Sequence, residues 1–184
     1  MERLKRAAIV AKLVENLRNA GSWCGETNIQ KATYLLQDLL AVPTDFCFVL
    51  YKHGPYSFDL SDELTSLRGD ELLSLQPQAP PYGPRYALTE SAKKLLKQYP
   101  KTLARYEDVL ARVGSIVGAQ TVTELERLTT ALYVTKRCTE NHDGSVKFRA
   151  DHLRKLKPHV SFADAKDAVK EIDNLLSEVS ESDE

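Results

Sequence analysis

The stretch Leu72-Leu73-Ser74-Leu75-Gln76-Pro77-Gln78-Ala79-Pro80-Pro81-Tyr82-Gly83-Pro84-Arg85-Tyr86-Ala87-Leu88 decides how the chain is read. Pro77, Pro80, Pro81 and Pro84 each fix φ and remove a backbone donor, so no helix passes through it. The runs Leu72–Gln76 and Arg85–Leu88 on either side have the texture of short strands, and together they predict a β-hairpin with a long, stiff tip. So few strand residues cannot build a sheet domain. The hairpin is therefore expected at the edge of a helical core.

Working outward, Leu4, Ala7, Ala8, Ala11, Val14 and Leu17 recur at helical spacing until Gly21. Thr27-Asn28-Ile29-Gln30 has the form of a capping box. It precedes a second helix with Ile29, Ala32, Leu35, Leu36, Leu39 and Leu40 on one face, stopped by Pro43. Phe46–Tyr51 predicts an extended segment and Gly54-Pro55 a bend. Ser57 is placed to cap a third helix carrying Phe58, Leu60, Leu64 and Leu67, and Thr89 a fourth carrying Ala92, Leu95, Leu96 and Tyr99. Helix, helix, extended piece, helix, strand, turn, strand is the order of a winged helix.

Beyond Pro100 the pattern is helical again. Leu103, Tyr106, Val109, Leu110, Val113 and Val117 make one stripe, and Thr123-Glu124-Leu125-Glu126 reads as a second capping box. Asn141–Gly144 breaks the next helix, and Ser161-Phe162-Ala163-Asp164 opens a last one with Phe162, Ala165, Val169, Ile172, Leu176 and Val179 as its apolar positions. That seam covers fewer than three heptads, which favours packing within the chain over a coiled-coil dimer. The fold class is thus mainly α with a small β-hairpin: a winged-helix-like half, residues 1–98, then a helical extension, residues 99–184, packed on helix one, the two also readable as a single domain. Residues 180–184 are expected to be a disordered tail.

The 184 residues, 42% hydrophobic and 28% charged, suffice for a real core. A formal charge of −1 argues against a nucleic-acid coat, so a charged partner must meet a local patch. Cys24, Cys47 and Cys138 are too few for a disulfide framework and suit a reducing compartment. No run approaches the roughly 18 apolar residues of a membrane span, and the N-terminus lacks an unbroken signal core. A cytoplasmic location without membrane attachment is the expectation.

Little in the chain points to catalysis. Gly114–Gly118 lacks the Lys-Ser/Thr of a phosphate loop. Cys138 and His142 could share a helix face, but Cys24, Cys47, His53 and His152 are not spaced in pairs as zinc ligands are. Cys47 with His53 could form a nucleophile pair, against which stands a buried, inert thiol. Asp59, Asp62, Glu63, Glu124 and Glu126 lie near helix starts, where capping accounts for them. No catalytic residue, cofactor or metal is assigned, and the chain is read as a non-enzyme.

Tyr51-Lys52-His53-Gly54-Pro55-Tyr56 differs in kind: two tyrosines, a histidine and a lysine crowd a Gly-Pro turn. Loops present such side chains on a rigid scaffold, and aromatic faces give contact area at low entropic cost. The same residues could equally pack the turn over the core.

Four segments then resemble a known family in their order: Ile29-Gln30-Lys31-Ala32-Thr33-Tyr34-Leu35-Leu36-Gln37, Tyr51-Lys52-His53-Gly54-Pro55-Tyr56-Ser57, Arg68-Gly69-Asp70 and Tyr82-Gly83-Pro84-Arg85-Tyr86-Ala87-Leu88-Thr89. They resemble the YwgA-type family of small bacterial and archaeal proteins and, more distantly, the Panacea or SocA-like antitoxin domain, over about residues 1–98. The resemblance implies a winged-helix-like scaffold without catalytic residues. In the antitoxin branch it implies a protein that neutralises a toxin or acts as an adaptor, with Tyr34, Tyr51, Gly54 and Pro55 as the matching positions.

Local charge separates two binding modes. A DNA-reading third helix should be basic, but residues 57–68 set Asp59, Asp62 and Glu63 against Arg68. Residues 85–105 instead hold Arg85, Lys93, Lys94, Lys97, Lys101 and Arg105 against Glu90, and residues 145–157 are also basic. The leading expectation is a module that docks a protein partner, a toxin or defence component, through Tyr34, Tyr51, Lys52, His53, Gly54, Pro55 and Tyr56. The alternative is a DNA-binding regulator using Arg85, Lys93, Lys94, Lys97 and Lys101. A thiol or metal enzyme centred on Cys47, Cys138 and His142 is a third possibility. Oligomeric state is left open.

Overall fold

Gly21, at φ +81°, stops the first helix where the sequence predicts. The elements that follow are those of a computed structural model, which describes residues 1–80, 82–138 and 144–182. They are α1 (Arg3–Asn19), α2 (Glu26–Asp38), β1 (Val49–Tyr51), β2 (Gly54–Tyr56), α3 (Phe58–Gly69), β3 (Leu73–Gln76) and β4 (Arg85–Leu88), then α4 (Glu90–Gln98), α5 (Pro100–Arg105), α6 (Glu107–Gly118), α7 (Val122–Cys138), α8 (Val146–Leu156) and α9 (Phe162–Ser182). The chain divides into two compact units: Met1–Val49 with Tyr56–Val122, and Leu50–Pro55 with the chain from Thr123 onward. The fold is mainly helical with small two-stranded hairpins.

In the first unit α1 buries Ala8, Ile9, Val10, Leu13, Val14 and Leu17. α6 closes on it because two glycines allow the approach: a Cβ at Gly114 would lie 3.2 Å from Asn16 Cβ, and one at Gly118 2.4 Å from the Ala20 carbonyl oxygen. The hairpin forms as predicted, with Leu73 opposite Leu88 and Gln76 opposite Arg85. Its outer strand meets the α1–α2 connection, where the Tyr86 N–H donates to the Cys24 carbonyl at 2.9 Å. Ser57 and Thr89 accept from the backbone N–H groups of Leu60 and Ala92, each at 3.2 Å, as helix caps should.

Several elements depart from the sequence reading. α2 starts at Glu26 with Gly25 as its cap, the Gly25 N–H donating to Asn28 Oδ1 at 3.3 Å. Thr27 is thus inside the first turn, and Gln30 is buried, exchanging two hydrogen bonds with the Ser57 backbone at 2.9 Å each. Only Val49–Tyr51 of the expected extended run is strand, and it pairs with β2 across Lys52 and His53. The bend therefore precedes Gly54, which takes φ +87° as glycine readily does. The Leu103–Val117 stripe is broken at Tyr106. α5 and α6 belong to the first unit. Pro100 occupies the first position of a helix, where a missing N–H costs nothing, so it starts an element.

The second unit is built on α7, α8 and α9. Buried Arg149 of α8 donates a fork of hydrogen bonds to Asp173 of α9 at 2.6 and 2.7 Å and a third to Thr135 of α7 at 3.1 Å. Ala165, Val169 and Ile172 carry the inward face of α9. That helix continues through Ser182, where a tail from residue 180 is expected to fray; Asp183 and Glu184 lie outside the described residues, as does the break at Asn141–Asp143. Among the described residues no helix is long and apolar enough to cross a membrane.

Candidate functional site

The aromatic turn rests on a charge pair. In the second unit, Lys157 follows the last turn of α8 with its side chain 5% exposed, and lies 2.7 Å from Glu126 of α7, itself 11% exposed. The Lys157 ammonium also donates to the carbonyl oxygens of Tyr51, at 3.4 Å, and Lys52. His53 Nδ1 lies 3.5 Å from Glu126 and His159 Nε2 4.0 Å, both imidazoles open to solvent. Burial pushes the Glu126 carboxyl up, but the Lys157 ammonium and the His53 ring outweigh it and hold the group below its ordinary value. Glu126 is therefore an anion that ties α7 to the turn, a role its position near a helix start does not suggest.

This brace holds the backbone of Tyr51 and Lys52 while leaving their side chains outside. Tyr51 is 58% exposed, and Lys52 and His53 are exposed with it. Gly54 and Pro55 are buried, so they shape the turn and offer no contact area. Tyr56 is half-buried in the first unit; its hydroxyl donates to Glu26 Oε1 at 3.1 Å and its ring meets Phe58 edge-on at 5.1 Å. Tyr34 cannot be a contact residue. It lies 3% exposed on the inner face of α2 with Phe48 against its ring at 5.1 Å, so its place in the expected docking set is corrected to the core.

The basic set divides as well. Arg85 is engaged, its Nε donating to the Trp23 carbonyl at 3.0 Å while the guanidinium covers the indole at 5.0 Å. Lys93 pairs with Glu90 at 2.6 Å. Lys94, Lys97 and Lys101 stay exposed on α4 and α5.

The thiols and acids have structural settings. Burial pushes the Cys24 thiol up to about 12, against the charges of Arg18 and Arg85. Cys138 is raised by burial too, and its sulfur lies 3.9 Å from His152 Nδ1. His142 lies outside the described residues. A thiol so raised is the opposite of an activated nucleophile. Glu63 is buried between Arg3 at 3.5 Å and Arg6 at 3.7 Å, and Asp59 accepts from the Cys47 N–H at 3.3 Å. Among the described residues no three His, Cys, Asp or Glu side chains converge as a metal site requires. No protein-family model matches the chain, and no curated protein compared with it is significantly similar.

Proposed function

We propose that this chain is a non-enzymatic, winged-helix-like binding module that docks a protein partner through Tyr51, Lys52 and His53. The observation that carries the reading is the brace: a buried lysine spends its ammonium on two turn carbonyls and a buried carboxylate, and the tyrosine above it stays in water. A large aromatic side chain on a preorganised turn is the composition of an interface anchor, because the backbone that carries it is already held before the partner arrives.

The winged-helix description draws support from element order and from the bond between β4 and the α1–α2 connection, which adds a third extended segment to the hairpin. The resemblance to YwgA-type and Panacea-like proteins favours a toxin or defence component as partner. DNA reading is weaker, since α3 is acidic and Arg85 is committed to Trp23. Affinity purification of a tagged copy from its native cells tests the proposal. A defined protein retained by the wild type and by Lys94→Glu/Lys97→Glu, and lost with Tyr51→Ser, supports docking. Duplex DNA bound at micromolar affinity or better, and abolished by the double lysine change, overturns it.

A further inference from the structure

The chemistry of the braced turn also selects the kind of partner it takes, an inference that rests on the docking reading above. In the second unit the Lys157 ammonium is enclosed between Glu126 at 2.7 Å and the turn carbonyls, so its charge is cancelled inside the brace. What faces water is different. Lys52 gives the brace only its carbonyl and keeps its side chain exposed. The side chains of His53 and His159 are 66% and 61% exposed, each with one ring nitrogen toward Glu126, at 3.5 and 4.0 Å. A permanent cation, two imidazoles and the exposed Tyr51 ring are thus carried by one support.

His53 presents Nδ1 to Glu126, which leaves Nε2 for another group; His159 presents Nε2, which leaves Nδ1. A neutral ring donating to Glu126 through its near nitrogen keeps a lone pair on the far one and repels a second carboxylate, whereas a protonated ring donates from both. Imidazole passes between these states between about pH 5 and 8. Glu126 of α7 faces both rings, Lys157 shares that carboxylate, and Lys52 adjoins His53 in the chain. Glu124 is exposed in the first turn of α7, and Asp164 of α9 is taken by Arg127 at 2.7 Å. Selectivity therefore comes from the placement of donors and not from net charge.

We propose that the partner segment docked on this turn is acidic: an Asp or Glu carboxylate is held by the Lys52 ammonium and the far nitrogens of His53 and His159, beside Tyr51, with proton uptake by the imidazoles. Nucleic acid is disfavoured. Phosphate binding draws on many permanent cations, and Lys52 is the one such side chain that the Tyr51–Gly54 turn contributes.

The test is a selection from a random-peptide phage library on the immobilised full chain at about pH 6. Peptides retained by the wild type and lost with Tyr51→Ser are expected to carry Asp and Glu at several-fold above their library frequency. Synthesised, they bind Lys52→Glu at least about tenfold more weakly and the wild type at least about fivefold more weakly at about pH 8 than at about pH 6. His53→Gln/His159→Gln flattens that pH dependence, and Lys94→Glu/Lys97→Glu leaves binding unchanged. These changes replace exposed side chains and keep the Lys157–Glu126 pair, so the fold is not at stake. Tyr51-dependent peptides of neutral or basic composition, or acidic ones indifferent to Lys52→Glu and to pH, would overturn the inference and leave the docking reading standing. An empty selection, or displacement of the peptides by duplex DNA at roughly micromolar concentration, would overturn it as well. Acidic peptides that need Lys52 but ignore Tyr51→Ser would support the acidic partner and overturn Tyr51 as the anchor.

Discussion

Replacing Lys157 by Met keeps the length and apolar stem of the side chain and removes only the ammonium. Glu126, 11% exposed, is then left with two solvent-open imidazoles at 3.5 and 4.0 Å, and the Tyr51 and Lys52 carbonyls lose their donor. Removing one partner of a buried pair costs about 3–5 kcal/mol, because the remaining charge stays desolvated. For a chain of this size each kcal/mol moves the midpoint by about 2–4 °C, so Lys157→Met should melt roughly 6–20 °C lower. Replacing both partners by apolar residues, Lys157→Met/Glu126→Leu, removes the stranded charge and should recover most of the loss. Thermal unfolding followed by circular dichroism reads both. A single variant within about 1 kcal/mol of wild type, or a double variant no more stable than the single, refutes the reasoning that the turn is braced by this pair.

Three further outcomes follow from the same packing. Glu126 titrates lower in the folded chain than unfolded, so its contribution is complete above the unfolded carboxylate value, about 4.3, and fades as pH falls through the folded value; acid unfolding of Glu126→Gln should lack that part of the slope. Gly118→Ala puts a methyl 2.4 Å from the Ala20 carbonyl oxygen and 2.7 Å from its Cβ, both at the end of α1, and denaturant unfolding should show a loss of about 1–3 kcal/mol. Cys47 is exposed whereas Cys24 and Cys138 are buried with raised thiols, so a disulfide reagent should modify one thiol promptly and the other two only on unfolding; three fast thiols would contradict the packing.

What was legible in the sequence was local. Ser57 and Thr89 could be read as caps because a cap needs only a hydroxyl and a backbone N–H three residues on. The four prolines of the hairpin exclude a helix whatever lies around them. The start of α2 misled because a capping box at Thr27 and a glycine cap two residues earlier fit the same letters, and the choice was made by Gln30 reaching Ser57, 27 residues away. α8 escaped because its inward face includes Arg149, whose charge hides the apolar period that its pairing with Asp173 makes tolerable. At the candidate site, the turn was visible as a cluster of aromatic residues, but its support was not: Glu126 and Lys157 lie far from Tyr51 in sequence and meet only in the fold. Tyr34 was misplaced for the converse reason, since a motif match carries no information about which face of a helix is inward.

Docking through the braced turn is tested most directly by a photoreactive phenylalanine analogue in place of Tyr51, irradiated in native cells. The account predicts a covalent adduct with one defined protein, absent when the same analogue replaces Leu96 on α4. Adducts with nucleic acid, or no protein adduct specific to position 51, would contradict it.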